Sequence, residues 1–132
     1  MDGATPRVLI IEDNELVARS LALMLRKHAP MHAVSLGVLR ETIADVPEGS
    51  VVLSDLGLED GGGDEVLQVM ETQRPDLLSR FFWMTGGGHM LNRYEATIER
   101  SGRPVVLKPI APAELRSLVE NALAGLPHTG AD

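Results

Sequence analysis

The sequence predicts one α/β domain, a doubly wound sheet of five parallel strands with helices on both faces. Three observations carry this. Short apolar runs recur along the 132 residues at Val8–Ile11, Val51–Leu53, Phe81–Met84 and Val105–Leu107, with a weaker one at His32–Ser35. Each run is followed by a segment with helical apolar spacing, so strand and helix alternate strictly, which favours right-handed crossovers and a parallel sheet. The runs are continuous rather than alternating, as expected of strands buried on both faces.

Val8-Leu9-Ile10-Ile11 is partly β-branched and forms the first strand. The first helix presents Val17, Leu21, Met24 and Leu25 on one face, with Arg19, Arg26 and Lys27 elsewhere, and Pro30 stops it. His32–Ser35 is the second strand. A helix over 38–46 follows, ended by Pro47. Val51–Leu53 is the third strand. Gly61-Gly62-Gly63 is read as a flexible turn into a helix carrying Val66, Leu67, Val69 and Met70, which ends before Pro75. Phe81–Met84 is the fourth strand. Gly86-Gly87-Gly88, a second flexible turn, leads to a helix from about Leu91 to Arg100, with Gly102 as its stop. Val105–Leu107 is the fifth strand. Pro112 and Glu114 suit the first turn of a last helix whose apolar face is Leu115, Leu118, Val119 and Ala122. Residues 1–6 and 127–132 are expected to be loose ends, small or polar and without periodicity.

Composition excludes several function classes. Lys and Arg number 12 and Asp and Glu 19, a net charge of −7 that opposes broad contact with a phosphate backbone, so no nucleic-acid partner is expected. Aromatics are only 3%, with no basic-aromatic stretch to stack bases. The absence of cysteine excludes a disulfide framework, a thiolate zinc site and a cysteine nucleophile. No apolar run is long enough to span a bilayer, and the first residues lack the layout of a signal peptide, so a cytoplasmic chain is expected. His28, His32, His89 and His128 show no metal-binding spacing and are read as surface residues. His89 is of interest only because it closely follows Thr85.

In parallel sheets, ligands sit at the carboxyl ends of the strands. Glu12 and Asp13 follow the first strand, Asp55 the third, Thr85 the fourth and Lys108 the fifth. Singly, each has an ordinary role: a helix cap, an Asx-turn, a solvated turn. Those roles do not explain why three carboxylates, a hydroxyl and an ammonium share one edge of one sheet. Three clustered carboxylates repel unless a cation intervenes, and short oxygen ligands suit a hard divalent ion, usually Mg²⁺. Mg²⁺ takes one or two carboxylates plus a phosphoryl oxygen. Thr85 and Lys108 offer the hydroxyl and the point charge that phosphoryl oxygens accept. Positioning and charge neutralisation are what phosphoryl transfer needs.

On these segments the chain resembles the receiver domains of two-component response regulators, the CheY-like family. They are Val8–Asp13, Val51–Leu56, Met84-Thr85-Gly86 and Val106–Ile110. The resemblance runs from about Arg7 to Leu126. It implies a flavodoxin-like (βα)5 fold with strand order 2-1-3-4-5 and a receiver domain over 7–126. It further implies that Asp55 is the phosphoacceptor, taking a phosphoryl group from a phosphohistidine on a histidine kinase or histidine phosphotransfer protein. Asp13 would be a direct Mg²⁺ ligand, Glu12 the acidic neighbour that holds the metal through water, and Gly57 the donor of a backbone carbonyl. Thr85 and Lys108 would follow and pair with the phosphoryl group, and Gly63 matches the glycine that starts the third helix. Such a domain catalyses its own phosphorylation and dephosphorylation.

Two positions depart from the family pattern. Glu59 stands where proline is frequent, four residues after the acceptor, and a less stiff loop is expected there. Val105 stands where many receivers carry an aromatic ring coupled to the Thr hydroxyl. Tyr94 is the one nearby aromatic that could take its place. A mostly monomeric relay or phosphate sink is therefore expected. The segments 82–87 and 103–109 look most like receivers attached to hybrid sensor kinases. Two alternatives stay open: an adaptor with a receiver fold that takes no phosphate, and a small phosphatase-like enzyme on the same sheet. Against the second, Gly57 replaces the second Asp such a phosphatase would carry.

Overall fold

A computed structural model describes residues 5–126. Five strands, β1 (Val8–Ile11), β2 (Met31–Ala33), β3 (Val51–Asp55), β6 (Phe81–Thr85) and β7 (Val105–Leu107), form a parallel sheet in the order β2-β1-β3-β6-β7. Two short antiparallel strands, β4 (Gly57–Leu58) and β5 (Gly61–Gly62), intervene in the chain as a separate hairpin. Leaving them out of the count, the order is the expected 2-1-3-4-5.

Alternate strand residues feed two apolar layers, because successive side chains point to opposite faces. Leu9, Ile11, Val52, Phe81 and Trp83 pack with α2 (Leu36–Thr42) and α3 (Gly63–Gln73), and with α4 (Gly88–Arg93) and α5 (Glu95–Ser101) through Met90, Leu91, Tyr94 and Ile98. Val8, Ile10, Val51, Leu53, Phe82 and Met84 pack with α1 (Glu15–Met24) and α6 (Pro112–Leu123). Trp83 is fully buried, meets Phe81 edge-on at 4.6 Å, and donates its indole N–H to Ser101 Oγ at 3.0 Å. The polar end of the largest core side chain is thus satisfied.

Several elements differ from the sequence reading. The first helix stops at Met24, six residues short of Pro30. A 3₁₀ turn at Arg26–His28 follows, and Ala29 adopts a left-handed φ of 50°. The second strand begins at Met31 and the second helix at Leu36, where Ser35 Oγ accepts the Val38 N–H at 3.0 Å. A further 3₁₀ segment, Pro75–Arg80, joins α3 to β6. The expected helix over 91–100 is two short helices broken at Tyr94, whose φ of −108° and ψ of 21° are not helical. Gly102 closes α5 in the left-handed conformation, as its place after the helix suggested. Gly61 and Gly62 are ladder residues of the hairpin, so the first glycine triplet is not a free turn. Pro6 and Thr5 precede β1 without regular structure, while residues 1–4 and 127–132, including His128, lie outside the described residues. Among the described residues, no helix is long and apolar enough to cross a membrane.

Candidate functional site

The register of the sheet lines up the strand ends. Ile11 pairs with Ser54, so Glu12 is level with Asp55. Asp55 pairs with Met84, and Thr85 with Leu107. Glu12, Asp55, Thr85 and Lys108 therefore fall at or one step past the last ladder positions of β1, β3, β6 and the edge strand β7, and Asp13 two steps past that of β1. Asn14 caps α1, its Oδ1 accepting the Val17 N–H at 3.1 Å. That leaves Glu12 and Asp13 free of the capping role and turned to other partners.

Glu12 is buried, with 1% of its surface exposed. Its carboxylate accepts from Lys108 Nζ at 2.6 Å and from the Asn14 N–H at 3.1 Å. Lys108 Nζ also reaches Asp55 Oδ2 at 3.4 Å, while its backbone N–H binds the Thr85 carbonyl at 2.8 Å. The ammonium is thus shared between two carboxylates on neighbouring strands. Asp13 is partly exposed, and its Oδ2 accepts the Glu59 N–H at 2.9 Å, tying the first loop to the hairpin. Ligand-capable atoms of Glu12, Asp13 and Asp55 lie within 4.8 Å of one another. Thr85 is buried at the end of β6, its hydroxyl facing the Gly87 N–H at 3.4 Å. Gly57 opens the hairpin two residues after Asp55, and Gly63 opens α3, its N–H bound to the Leu56 carbonyl at 2.7 Å.

Electrostatics separate the roles of these groups. Burial pushes the Asp55 carboxyl up to about 6; the Lys108 charge opposes this and the Glu12 charge adds to it. Burial pulls the Lys108 ammonium down, but the Glu12 hydrogen bond and the Asp55 charge outweigh it and raise the group above its ordinary value. Three carboxylates against one ammonium leave an excess of two negative charges. The donors are all oxygen, which fits a hard divalent ion such as Mg²⁺ and does not fit a soft metal. The set therefore passes the test of its donors: Asp13 and Asp55 supply short carboxylates, and Gly57 stands in the chain where a carbonyl could join them.

Some contacts carry no signal in the sequence. His32 is exposed, as read, yet its Nε2 hydrogen-bonds the Glu12 carbonyl at 2.7 Å from the edge strand β2. His28 is half-buried rather than fully exposed: its side chain is 12% exposed and lies 3.7 Å from Glu120 of α6, where the 3₁₀ turn after α1 brings it. His89 is exposed in α4.

No protein-family model matches the chain. It is similar to the photosynthetic apparatus regulatory protein RegA of Cereibacter sphaeroides, 32% identical over 95 residues, covering 65% of this chain and 46% of RegA. The chain thus spans about half the length of that relative. Among solved structures, the receiver domain of NtrX from Brucella abortus superposes with a TM-score of 0.74 at 22% identity, covering 89% of this chain and 98% of that one. A CheY-like response regulator receiver domain protein from Methanospirillum hungatei gives 0.73 at 19% identity, over 92% and 96%. At these identities the likeness to the solved structures is one of fold.

Proposed function

We propose that this chain, whose fold is that of a response-regulator receiver domain, is a phosphoacceptor. Asp55 would attack the phosphorus of a phosphohistidine: the carboxylate O–P bond forms, the P–N bond breaks, and the imidazole leaves neutral once protonated. The observation that carries this reading is the placement of Asp55 at the end of the central strand β3, within the carboxylate cluster and 3.4 Å from Lys108 Nζ. Lys108 supplies a charge for the arriving phosphoryl oxygens and Thr85 a hydroxyl on the adjacent strand. Asp13, Asp55 and the Gly57 carbonyl would hold Mg²⁺, with Glu12 behind them. The ion, when bound, neutralises phosphoryl charge as it develops. Hydrolysis of the acyl phosphate returns Asp55 and inorganic phosphate.

The partner class that supplies a phosphohistidine is a histidine kinase or a phosphotransfer protein, and a cytoplasmic setting suits that chemistry. The receiver unit over 7–126 would act as a relay, since Val105 stands in place of an aromatic ring, with attachment to a hybrid kinase as its setting.

Incubation with acetyl phosphate and Mg²⁺ should add the mass of one phosphoryl group, and Asp55→Asn should abolish the addition. Equal labelling of Asp55→Asn would remove the assignment. No labelling of the parent would favour the adaptor, and turnover of the donor without a labelled protein the phosphatase. Asp13→Ala should lose most Mg²⁺ affinity in calorimetry, because the remaining oxygens no longer offset dehydration of the ion. Beryllofluoride with Mg²⁺ should leave the chain monomeric in sedimentation at micromolar protein, since Val105 has no ring to couple to Thr85. A clear conversion to dimers would count against that expectation.

A further inference from the structure

We propose that Met90 and Tyr94 are positioning residues for the acidic site, acting through the glycine hairpin that follows Asp55. The inference rests on the metal-site reading above and assigns two further residues to it.

The hairpin pairs Gly57 with Gly62. Both glycines are covered by α4 and the break that ends it. A Cβ on Gly62 would fall 2.7 Å from the Tyr94 Cε1 and Cζ atoms, inside contact distance. A Cβ on Gly57 would overlap the Met90 methyl. Met90 and Tyr94 are four residues apart, so they project from one side of the chain onto one ladder pair. Both are partly buried against the core. At Gly62 a Cβ would have to displace the Tyr94 ring, whereas at Gly57 it meets only the flexible end of Met90, so the fit is tighter at Gly62.

The opposite side of the hairpin is already fixed. Asp60 accepts the Leu36 and Gly37 N–H groups at 2.9 and 3.1 Å, which ties the hairpin tip to the start of α2. These bonds hold the Asp60 carboxyl below its ordinary range. Among the described residues, no hydrogen bond ties α4 to the hairpin. Gly86, Gly87 and Gly88 meet nothing within 4 Å of a Cβ position, so the chain leading into α4 is unpacked. The seat of Met90 and Tyr94 is therefore what registers α4 against the hairpin.

Two members of the candidate ligand set depend on that hairpin. Gly57 lies within it, and Asp13 is bound to its Glu59 N–H at 2.9 Å. Fixing the hairpin from both sides pre-orders these oxygens before an ion arrives, which raises affinity by lowering the ordering cost of binding. Coupling of this kind is reciprocal, so an ion bound at the site must also tighten the seat.

The test uses Mg²⁺ calorimetry on the full chain together with one spectroscopic probe. Tyr94 is the single tyrosine, so 3-fluorotyrosine labelling yields one fluorine resonance. In the parent it should move with Mg²⁺ at the calorimetric midpoint, and in Asp13→Ala it should stay still. Gly62→Ala should weaken Mg²⁺ binding about tenfold, within the range usual for coupled sites. Adding Tyr94→Ala to Gly62→Ala should weaken it little further, because the seat is already lost. Met90→Ala should weaken binding and Met90→Leu should restore it. This pair decides the matter if Gly62→Ala does not fold. Unchanged affinity in the seat variants, or a stationary resonance in a parent that binds Mg²⁺, overturns the proposal while leaving the phosphoacceptor reading intact. A parent that binds no Mg²⁺ overturns the metal site itself, and this proposal with it.

Discussion

Lys108→Met should destabilise the protein in chelator by about 3 kcal/mol, the low end of what removal of one partner from a buried ion pair costs. The low end applies because the Lys108 side chain is 21% exposed. Glu12, whose side chain is 2% exposed, then keeps the Asn14 N–H at 3.1 Å but no cation. Asp55, 15% exposed, loses its nearest cation. For a domain of this size, each kcal/mol lowers the melting temperature by roughly 3–4 °C, so a fall of about 10 °C is expected. Two further results separate lost charge from lost packing. Saturating Mg²⁺ should raise the melting temperature of Lys108→Met more than that of the parent, since the ion replaces a missing positive charge. Glu12→Gln combined with Lys108→Met should cost less than the two single losses added, because neither charge is then left alone. A melting temperature within 2 °C of the parent, roughly the effect of half a kcal/mol, would show that the pair is not a stabilising element.

The same pair marks the limit of what the sequence discloses. Glu12, Asp13, Asp55, Thr85 and Lys108 are legible because each follows an apolar run, and a parallel sheet collects all such positions on one edge. That Lys108 spends its charge on Glu12 as well as Asp55 is not legible: the two residues are 96 positions apart, and only the register of four strands brings them together. The hairpin is hidden for a different reason. Gly57, Gly61 and Gly62 have no strand propensity, and their pairing depends on contacts from Asp13, Leu36, Gly37, Met90 and Tyr94 that come from elsewhere in the chain. The break at Tyr94 follows from the same contact. Local periodicity favours one helix over 91–100, but the ring is seated on Gly62, and the backbone at Tyr94 departs from helical angles. Tertiary packing overrides local preference at that point. α1 likewise ends at Met24, well before Pro30, and the chain continues as the 3₁₀ turn that brings His28 to 3.7 Å from Glu120.

Asp55→Asn should act on stability in the opposite direction to Lys108→Met. The folded protein holds the Asp55 carboxyl at about 6, against 3.8 for an ordinary aspartate. Between these values the folded chain retains a proton that the unfolded chain has released. The contribution of this group is therefore fully present below about 3.8 and is lost as pH rises through about 6. At neutral pH the buried, charged Asp55 thus works against folding, and at about 1.4 kcal/mol per pKa unit the effect is on the order of 2–3 kcal/mol. Asparagine keeps the shape and removes the charge. In chelator at neutral pH, Asp55→Asn should be the more stable protein by about 2 kcal/mol, and the difference should shrink towards zero as pH falls to about 4. Asp60 and Asp76, whose carboxyls are held low by hydrogen bonds, give the reverse dependence. They are common to both proteins and cancel in the comparison. Mg²⁺ should reverse the order, because an ion that binds only the native parent adds about 2.7 kcal/mol at a hundredfold excess over its Kd. Urea melts of both proteins from pH 4 to 8, with and without Mg²⁺, check each part. A difference between them that does not change with pH would mean that charge on Asp55 does not strain the fold, and that the site has no electrostatic need for a cation.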